Sequence, residues 1–410
     1  MDTIEKPEGF SVVGKRVPRV DAAERVTGRA IYPADFSLPG MAFGRIKRSP
    51  HAHARILRID VSKALALKGV LAAVTAEDFA DIPQGALVPQ GETGIDAWVL
   101  TRLNMARGKV FWIGQPVAAI AAVDPHVAEA ALDLIEVAYE VLPPVMDIEA
   151  ATRPGAPVLH DHLYTKGVEP KPKAPSNVGA RTLVARGDVA KGFAEADAIA
   201  EIEVAVDSAH QGYIEPQAVV AQVEPGGMTT VWVTNQGVFT LEMQIAMLLG
   251  IPQSKLKVVP LEIGGGFGGK IWAHVEPTAV LLARKARRPV KIVLSRAEVM
   301  TGTGPAPGAR IAVKVGARRD GTLTAAQGRF TIDAGGFPGI GTTLLMQASM
   351  AGYQCPNLHL EGFDVVTTKP RAEAYRGPGG PQAAYAMEQA MDLLAQQLAM
   401  DPLAFRRKNA

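Results

Sequence analysis

Short apolar runs broken by turn residues dominate the first 150 residues of the chain. Apolar positions in three of these runs alternate or cluster over strand-like lengths, and we predict strands at 41–50, 54–61 and 70–79. The run at 62–69 has helical spacing and ends at Gly69. A longer run predicts a buried strand at 109–125 followed by a helix to residue 138. This mixture predicts a compact α/β unit over residues 15–150.

A stretch rich in Pro, Lys and Gly, residues 151–178, predicts an exposed linker. After it the periodic pattern restarts and predicts a second domain at 179–410, so the expected fold class is α+β, or mixed α/β. Strands are predicted within 197–224 and at 228–234, 256–263 and 290–295, and helices at 239–250, 273–288, 381–400 and 402–410. The expected N-caps are Asn235 and Asp401, and Gly250 is expected to end the helix that follows Asn235.

Composition narrows the class of protein. The 410 residues are 48% hydrophobic and 20% charged, as in a globular protein of two or three domains. A net charge of +2 gives no argument for nucleic acid, and the basic run 283–291 fits the last turn of a helix. The sequence has no twin arginine and no apolar stretch near twenty residues, so we expect a cytoplasmic protein that does not bind membranes. The single cysteine, Cys355, excludes an internal disulfide and a Cys-ligated iron-sulfur cluster held by this chain alone.

The string EIGGGFGGKIWAH, residues 262–274, carries five glycines in six positions. Gly264, Gly266 and Gly269 satisfy the dinucleotide fingerprint G-x-G-x-x-G, but the next strand ends without the acidic residue that grips a ribose. A phosphate-binding P-loop would need Ser or Thr after the lysine, and the chain has Ile271. Close packing explains one or two glycines. Five bare amides beside Phe267 indicate instead a large, flat or anionic ligand.

A second glycine cluster, residues 371–389, places Arg376 and a Gly/Pro loop just before a helix. A guanidinium there is suited to an anion, although a capped helix start with a surface arginine is the simpler alternative. Two histidine pairs, HAH at 51–53 and HDH at 160–162, could share a face on a strand as metal ligands do, but we interpret both as structural.

Seven motifs, taken together and in order, resemble the molybdenum-containing subunit of the xanthine dehydrogenase and aldehyde oxidase family, the molybdenum hydroxylases. The resemblance covers nearly the whole chain and implies an α/β-hammerhead domain followed by the first molybdopterin-binding domain. The motifs are VGKRVPRVDAAERVTGRAIYPADF (13–36), GRIKRSPHAHARI (44–56), GQPVAAIAA (114–122), IEPQAVVA (214–221), GGGFGGK (264–270), AYRGPGGPQ (374–382) and MDPLAFRRKN (400–409).

The resemblance also implies roles for residues. Gln236 resembles the glutamine that hydrogen-bonds an oxo ligand of molybdenum, and Phe267 and Gly268 resemble positions that pack beside the metal and present backbone amides. The metal is held through the pterin, so no protein ligand is expected. The full set of implied cofactor-binding residues is Gln236, Gly265, Gly266, Phe267, Gly268, Tyr375, Arg376 and Gly377.

Three positions bear on substrate by the same resemblance. Ile271, Leu344 and Pro378 stand where purine-oxidising relatives carry a glutamate, an arginine and an aromatic residue, so purines are disfavoured. Carbon monoxide oxidation is disfavoured because Gly377 stands where relatives with that activity have a cysteine. The expected reaction is hydroxylation of an electron-poor carbon in an N-heteroaromatic or aldehyde, with water as the oxygen source.

The family's base glutamate and second molybdopterin-binding domain have no counterpart in this sequence. Either the large subunit is split, as in bacterial members such as nicotinate dehydrogenase, or the sequence is a truncation, and we favour the split. The expected partners are a second molybdopterin-binding subunit, an iron-sulfur subunit and an FAD subunit, with the cofactor in its cytosine dinucleotide form. The alternative is a catalytically silent cofactor-binding or assembly subunit.

Overall fold

The computed structural model describes residues 9–90 and 93–410. The strands are β1 (Ala42–Arg48), β2 (Ala54–Asp60), β3 (Val70–Thr75), β4 (Leu87–Gln90), β5 (Thr93–Asp96), β6 (Lys109–Val110), β7 (Pro116–Ala122), β8 (Glu136–Val141), β9 (Val178–Arg186), β10 (Ala198–Val206), β11 (Ala218–Val223), β12 (Thr229–Val233), β13 (Leu256–Pro260), β14 (Val290–Val293), β15 (Ala309–Ala317), β16 (Leu323–Gly335) and β17 (Asn357–Val366). The helices are α1 (Ala22–Val26), α2 (Ser62–Ala66), α3 (Ala97–Asn104), α4 (Pro125–Asp133), α5 (Ile148–Thr152), α6 (Val189–Ala194), α7 (Val238–Leu249), α8 (Glu276–Ala286), α9 (Arg296–Gly302), α10 (Thr343–Met350), α11 (Gly380–Gln397) and α12 (Pro402–Asn409).

A seven-stranded mixed sheet in the order β13-β12-β11-β14-β1-β7-β3 spans the N-terminal and C-terminal parts of the chain. The strands from the two parts of the chain meet where β1 pairs parallel with β14, and Gly44 lies opposite Ile292 in this pairing. A Cβ on Gly44 would lie 2.6 Å from the Ile292 side chain, so only glycine fits this contact. The predicted domain limits, 15–150 and 179–410, therefore divide a sheet that is continuous in space, and they stay a prediction.

A five-stranded sheet in the order β10-β15-β16-β17-β9 forms the second layer of the C-terminal part. Helix α11 packs across β10 and β15, and α10 and α12 pack against α11. The core between them contains the fully buried side chains of Ile311, Phe330, Met387 and Phe405. Asp401 caps α12 as predicted, because its carboxylate accepts from the Ala404 amide at 2.8 Å.

Two small sheets complete the N-terminal part, β6-β2-β8 and β4-β5. The predicted helix to residue 138 is wrong at its end, since α4 stops at Asp133 and residues 136–141 form β8. Alternating residues there pair antiparallel with β2, and this long-range pairing overrides the local helical spacing. The predicted single strand at 109–125 is also two strands, β6 and β7, separated by a turn.

Residues 151–178, the predicted exposed linker, are mostly exposed but are anchored to the interior at a few positions. Leu159 is completely buried and His160 is only 3% exposed. Asn177 fixes the path of this segment, since its side chain accepts from the Leu159 amide at 3.0 Å and donates to the Ala151 and Pro157 carbonyls. The segment has few regular elements, and Leu159, His160 and Asn177 fix it to the interior while most of its other residues are exposed.

Helix α7 begins at Val238 with Gly237 at its N-cap, so the predicted Asn235 cap is wrong. Asn235 instead accepts a hydrogen bond from the Gly237 amide at 2.8 Å in the turn before the helix. Gly250 ends α7 in the left-handed conformation, as predicted. Within the part of the chain that the structure describes, no helix combines the length and apolar character needed to cross a bilayer.

Candidate functional site

The glycine loop lies between β13 and α8 and covers a buried ion pair. Lys270 is 1% exposed, and its Nζ donates to Glu215 Oε2 at 2.7 Å. The same oxygen accepts from Thr234 Oγ1 at 2.8 Å and from the Gly264 amide at 2.7 Å. Burial lowers the pKa of Lys270, and the adjoining carboxylate opposes that shift. Both ends of the loop are thus anchored to one carboxylate.

This anchoring argues against a phosphate-binding P-loop. The lysine of a P-loop extends to a nucleotide phosphate, whereas Lys270 is turned inward onto Glu215 and Thr234. The dinucleotide alternative also fails on geometry, because its fingerprint runs directly into a helix N-terminus. Here α8 begins only at Glu276, beyond the lysine and a further non-helical segment.

Gln236 closes the loop from the side. Its backbone amide donates to the Lys270 carbonyl at 2.8 Å, and its side-chain Oε1 accepts from the amides of Gly268 at 2.9 Å and Lys270 at 3.3 Å. These two bonds fix which end of the side-chain amide is oxygen. The Gln236 NH₂ group, on an exposed side chain, donates to no other described residue. It is a neutral donor in a set orientation.

Close packing explains more of the glycines than the sequence analysis allowed. A Cβ on Gly264 would lie 2.6 Å from Glu215 Cβ, and one on Gly266 would lie 2.5 Å from Gln236 Oε1. A Cβ on Gly268 would collide with the Ala374 carbonyl. Packing therefore requires glycine at more of these positions than the one or two expected from sequence, because the loop lies directly against its neighbours.

The loop nevertheless has free donors. The amides of Gly265, Gly266 and Phe267 have no hydrogen-bond acceptor among the described residues. Phe267 adopts a left-handed φ of 53°, and its ring is 45% exposed. Gly268 differs from its predicted role, because its amide is engaged by Gln236. Successive free amides of this kind form a concave anion-binding surface.

The second glycine cluster lies directly against the first. The Arg376 amide donates to the Phe267 carbonyl at 2.9 Å, and Gln211 Nε2 donates to the Ala374 carbonyl at 2.8 Å. Arg376 and Gly377 both have positive φ, 29° and 82°. The Arg376 side chain is exposed and forms no ion pair within the described residues. The two loops predicted from sequence thus form one surface.

Tyr375 and Arg376 also line a cavity of about 610 Å³ that continues past Gln382 and Tyr385 on α11. Its walls are mostly apolar, with these few polar groups, as in many small-molecule sites.

The three predicted substrate positions fall into two places. Pro378 precedes Gly379, which lies against the backbone of Leu345, the residue after the exposed Leu344. Ile271 is half-buried and directly follows Lys270, on the segment that Gln236 holds. All three remain candidates for lining a substrate site.

The histidine pairs have structural partners. The ring of His53 donates from Nδ1 to the Pro143 carbonyl, and that of His160 from Nε2 to the Gly336 carbonyl, both at 2.8 Å. His160 also stacks on Phe111 with ring centroids 4.4 Å apart. Burial lowers the pKa of His160 to about 4. In the described ranges, no group of three or more His, Cys, Asp or Glu side chains could hold a metal ion.

Sequence reasoning missed the supporting side chains, above all Glu215 and Gln211. The sequence signal for Glu215 is a carboxylate directly before an apolar strand, in the motif IEPQAVVA (214–221). Nothing local indicates that its partner is Lys270, which lies far along the chain. Only the fold brings them together.

Comparison with known proteins identifies two domain families in the chain. Residues 171–410 match the family model of the molybdopterin cofactor-binding domain, and residues 27–143 match that of the aldehyde oxidase and xanthine dehydrogenase a/b hammerhead domain.

Relatives of known name extend over nearly the whole chain. The nicotinate dehydrogenase large molybdopterin subunit of Eubacterium barkeri is 32% identical over 98% of this chain and 90% of its own length. The carbon monoxide dehydrogenase large chain of Afipia carboxidovorans is 31% identical over 99% of this chain and 51% of its own. The crystal structure of quinoline 2-oxidoreductase from Pseudomonas putida 86 superposes with a TM-score of 0.83 at 30% identity, covering 97% of this chain and 50% of that one.

The chain therefore spans about half the length of several relatives, although it spans most of the Eubacterium subunit. The matched domains, the order of the motifs and the two adjoining loops lead to one assignment. The chain belongs to the xanthine dehydrogenase and aldehyde oxidase family and carries its hammerhead and molybdopterin cofactor-binding domains.

Proposed function

We propose that this chain is the molybdenum-cofactor-binding part of an oxidoreductase that hydroxylates an electron-poor carbon, with water as the oxygen source. The observation that carries the proposal is the surface of three free amides, Gly265 to Phe267, beside the oriented amide of Gln236. Relatives named as dehydrogenases and oxidoreductases of N-heteroaromatic compounds support the reaction class.

The residues present fit a pterin-held metal group. Free backbone donors and a neutral side-chain amide suit the oxygen atoms of such a cofactor, and glycine keeps the backbone within reach of it. Gln236, the glycine-loop amides and the loop of Tyr375, Arg376 and Gly377 would hold it. When bound, the cofactor supplies two-electron redox chemistry at its metal.

Residues of this chain would orient the bound group. Gln236 presents its NH₂ group without rotational freedom, because its oxygen is held by two loop amides. The exposed Phe267 ring lies beside Gly265 and would pack against a bound group. Arg376 adds a cation with no partner in the described structure, suited to an anionic part of a ligand.

The proton acceptor comes from elsewhere. Glu215, the carboxylate beneath the glycine loop, is buried and already accepts three hydrogen bonds. We therefore place the base glutamate on polypeptide outside this sequence. A second molybdopterin-binding subunit is our first choice, and the alignment with most of the Eubacterium subunit supports it.

The substrate class follows from the lining. Ile271, Leu344 and Pro378 are apolar and offer no charged group to a purine, so we propose an N-heteroaromatic ring or an aldehyde. Electrons would leave to iron-sulfur and FAD centres on further subunits, and the cofactor would be the cytosine dinucleotide form. A cytoplasmic location stays a prediction that cell fractionation would test.

The deciding experiment is purification of the native complex. We expect molybdenum, iron and flavin to co-purify with several polypeptides, and turnover of N-heteroaromatic substrates. A complex without molybdenum would overturn the proposal. Molybdenum without turnover of heteroaromatics, aldehydes or purines would favour the silent cofactor-binding subunit instead.

A further inference from the structure

A very small buried cavity, about 10 Å³, lies where three distant parts of the chain meet. Trp112 reaches it from the hammerhead part, and His274 from the segment after the glycine loop. Arg371 and Glu373 reach it from the start of the second loop. The cavity is separate from the free amides described above and belongs to the support beneath both loops.

Several polar atoms around this cavity are buried and incompletely paired. Trp112 Nε1, His274 Nε2, Arg371 Nε and Glu373 Oε2 are all buried without a hydrogen bond. Native proteins rarely leave a buried donor or acceptor unpaired, because removing it from water without a replacement is unfavourable. His274 Nε2 and Glu373 Oε2 lie within ion-pair distance of each other, so Trp112 Nε1 and Arg371 Nε are the two donors that still need an acceptor.

The charged side chains at this cavity also lack complete pairing. Arg371 is 4% exposed, has no carboxylate within 4 Å among the described residues, and forms only two side-chain bonds, both at 3.4 Å. His274 Nε2 lies 3.3 Å from Glu373 Oε2, but the alignment is not that of a hydrogen bond. Burial acts to lower the pKa of His274, yet the carboxylates of Glu373 and Glu276 raise it above its ordinary value.

We propose that this cavity binds one ordered water molecule that bridges Trp112, Arg371 and Glu373 and so positions the two loops. A cavity of this volume holds about one water, and buried waters make about three hydrogen bonds. The water accepts from Trp112 Nε1 and from Arg371 Nε, and it donates to Glu373 Oε2. Arg371 and Glu373 thereby form a water-mediated ion pair, with His274 at the same carboxylate.

The water site is connected to both loops. The Glu373 amide donates to the Pro305 carbonyl at 2.7 Å, and three residues later the Arg376 amide donates to the Phe267 carbonyl. His274 follows Lys270 on the segment that Gln236 holds. Trp112, Arg371 and Glu373 are therefore positioning residues. Their effect on catalysis rests on the proposed function, whereas the water site does not.

A crystal structure of the native protein at a resolution that shows ordered waters is the first test. We expect one water within hydrogen-bond distance of Trp112 Nε1, Arg371 Nε and Glu373 Oε2. A dry cavity, or a direct contact of Arg371 with Glu373, would overturn the site.

Matched variants test the positioning role through amide hydrogen exchange at residues 375–377. Glu373→Gln and Glu373→Leu both remove the charge, but only Gln keeps an oxygen for the water. Loss of one hydrogen bond predicts exchange about fivefold faster in the Leu variant than in the Gln variant. Equal rates in the two variants would contradict the proposal.

Trp112→Phe removes the Nε1 donor together with the five-membered part of the indole, and it serves as the second test if Glu373→Leu does not fold. Its control is Trp232→Phe, whose ring packs on Phe36 with centroids 5.0 Å apart. We expect amide exchange at residues 375–377 to be about threefold faster in Trp112→Phe and unchanged in Trp232→Phe. Identical exchange in both would refute a role for the water. Molybdenum content, measured on the same samples, tests the proposed function independently.

Discussion

One carboxylate oxygen beneath the glycine loop accepts three hydrogen bonds, from Lys270, Thr234 and Gly264. Lys270 is 1% exposed and Glu215 is 9% exposed, so water screens neither charge. A buried pair of this kind stabilises little compared with apolar residues, but breaking it leaves an uncompensated charge. Its role here is to hold both ends of the loop in one place.

Lys270→Met should therefore lower the free energy of unfolding by about 3–5 kcal/mol, because it leaves the Glu215 carboxylate buried and unpaired. Urea denaturation would measure this loss. Lys285→Met is the control, since the Lys285 side chain is 44% exposed beside Asp78, and such a pair contributes no more than about 1 kcal/mol. Similar losses in the two variants would show that burial of the Lys270 pair has no special effect.

Gly268 is the glycine at which the two loops touch. Gly268→Val should abolish molybdenum incorporation while the fold survives, and Gly268→Ala should have the same effect more weakly. The new Cβ would push against the Ala374 carbonyl, and residue 268 has a φ of +110°. Metal analysis and circular dichroism would measure both effects. Gly9→Ala, at a φ of +112° with no atom within 4 Å, shares the backbone strain without the contact and should keep its metal. Full metal content in Gly268→Val would refute this account of the loop.

At the scale of residues, the sequence located both loops and Gln236, because glycine clusters and motifs are local signals. It did not show that the Gly268 amide donates to Gln236, since hydrogen-bond partners are not local. It also could not show that Lys270 turns inward, because the carboxylate that draws it lies on another segment.

Among the elements, the segment at 151–178 contains buried positions that its composition does not predict. Pro, Lys and Gly predicted an exposed linker, but Leu159 and His160 are buried, and His160 lies between Phe111 and Phe337. Burial holds the pKa of His160 at about 4, so the ring is neutral in the folded protein at pH 7.

This neutral, buried histidine predicts a pH dependence. In the unfolded chain the His160 ring binds a proton below its ordinary pKa of 6.5, whereas in the folded chain it does so only below about 4. The contribution of His160 to the free energy of unfolding is therefore complete above pH 6.5 and falls as the pH drops towards 4. Between pH 7 and pH 4, His160 should account for a loss of about 3 kcal/mol. Urea denaturation at both values should show this loss in the native protein and in His126→Gln, an exposed control. A loss that persists unchanged in His160→Gln would exclude His160 as its source.

Elements with strong local signals were predicted well, such as α7 with its Gly250 end and α12 with its Asp401 cap. The end of α4 was not, because residues 136–141 satisfy both a helical pattern and a strand pattern. Pairing with β2 selected the strand. Local propensity is overridden where a partner strand supplies hydrogen bonds.

At the scale of the whole molecule, the parallel pairing of β1 with β14 joins the two halves in one sheet. The main apolar core also draws on both, with Val74 and Trp112 from the N-terminal part and Ile245 and Leu282 from the C-terminal part. The hammerhead part is therefore a structural support of the two glycine loops and not an appended unit.

Cutting the chain should leave its halves together. A protease site inserted next to the exposed Lys171 would give two fragments that we expect to co-elute in gel filtration and to unfold in one calorimetric transition, because they share a sheet and a core. The same site inserted beside the exposed Asp320, between β15 and β16, is a control for nicking alone. Fragments that separate without denaturant would show that the halves are independent domains.

The sequence by itself determined the family, the two glycine loops and most of the regular elements, because these depend on residues close together along the chain. Tertiary structure alone decided that one sheet spans both halves, that Glu215 holds Lys270, and that Trp112, His274, Arg371 and Glu373 surround one cavity. The physical reason is the same in each case. Burial and pairing energies depend on which distant segments come into contact, and a local sequence pattern does not contain that information.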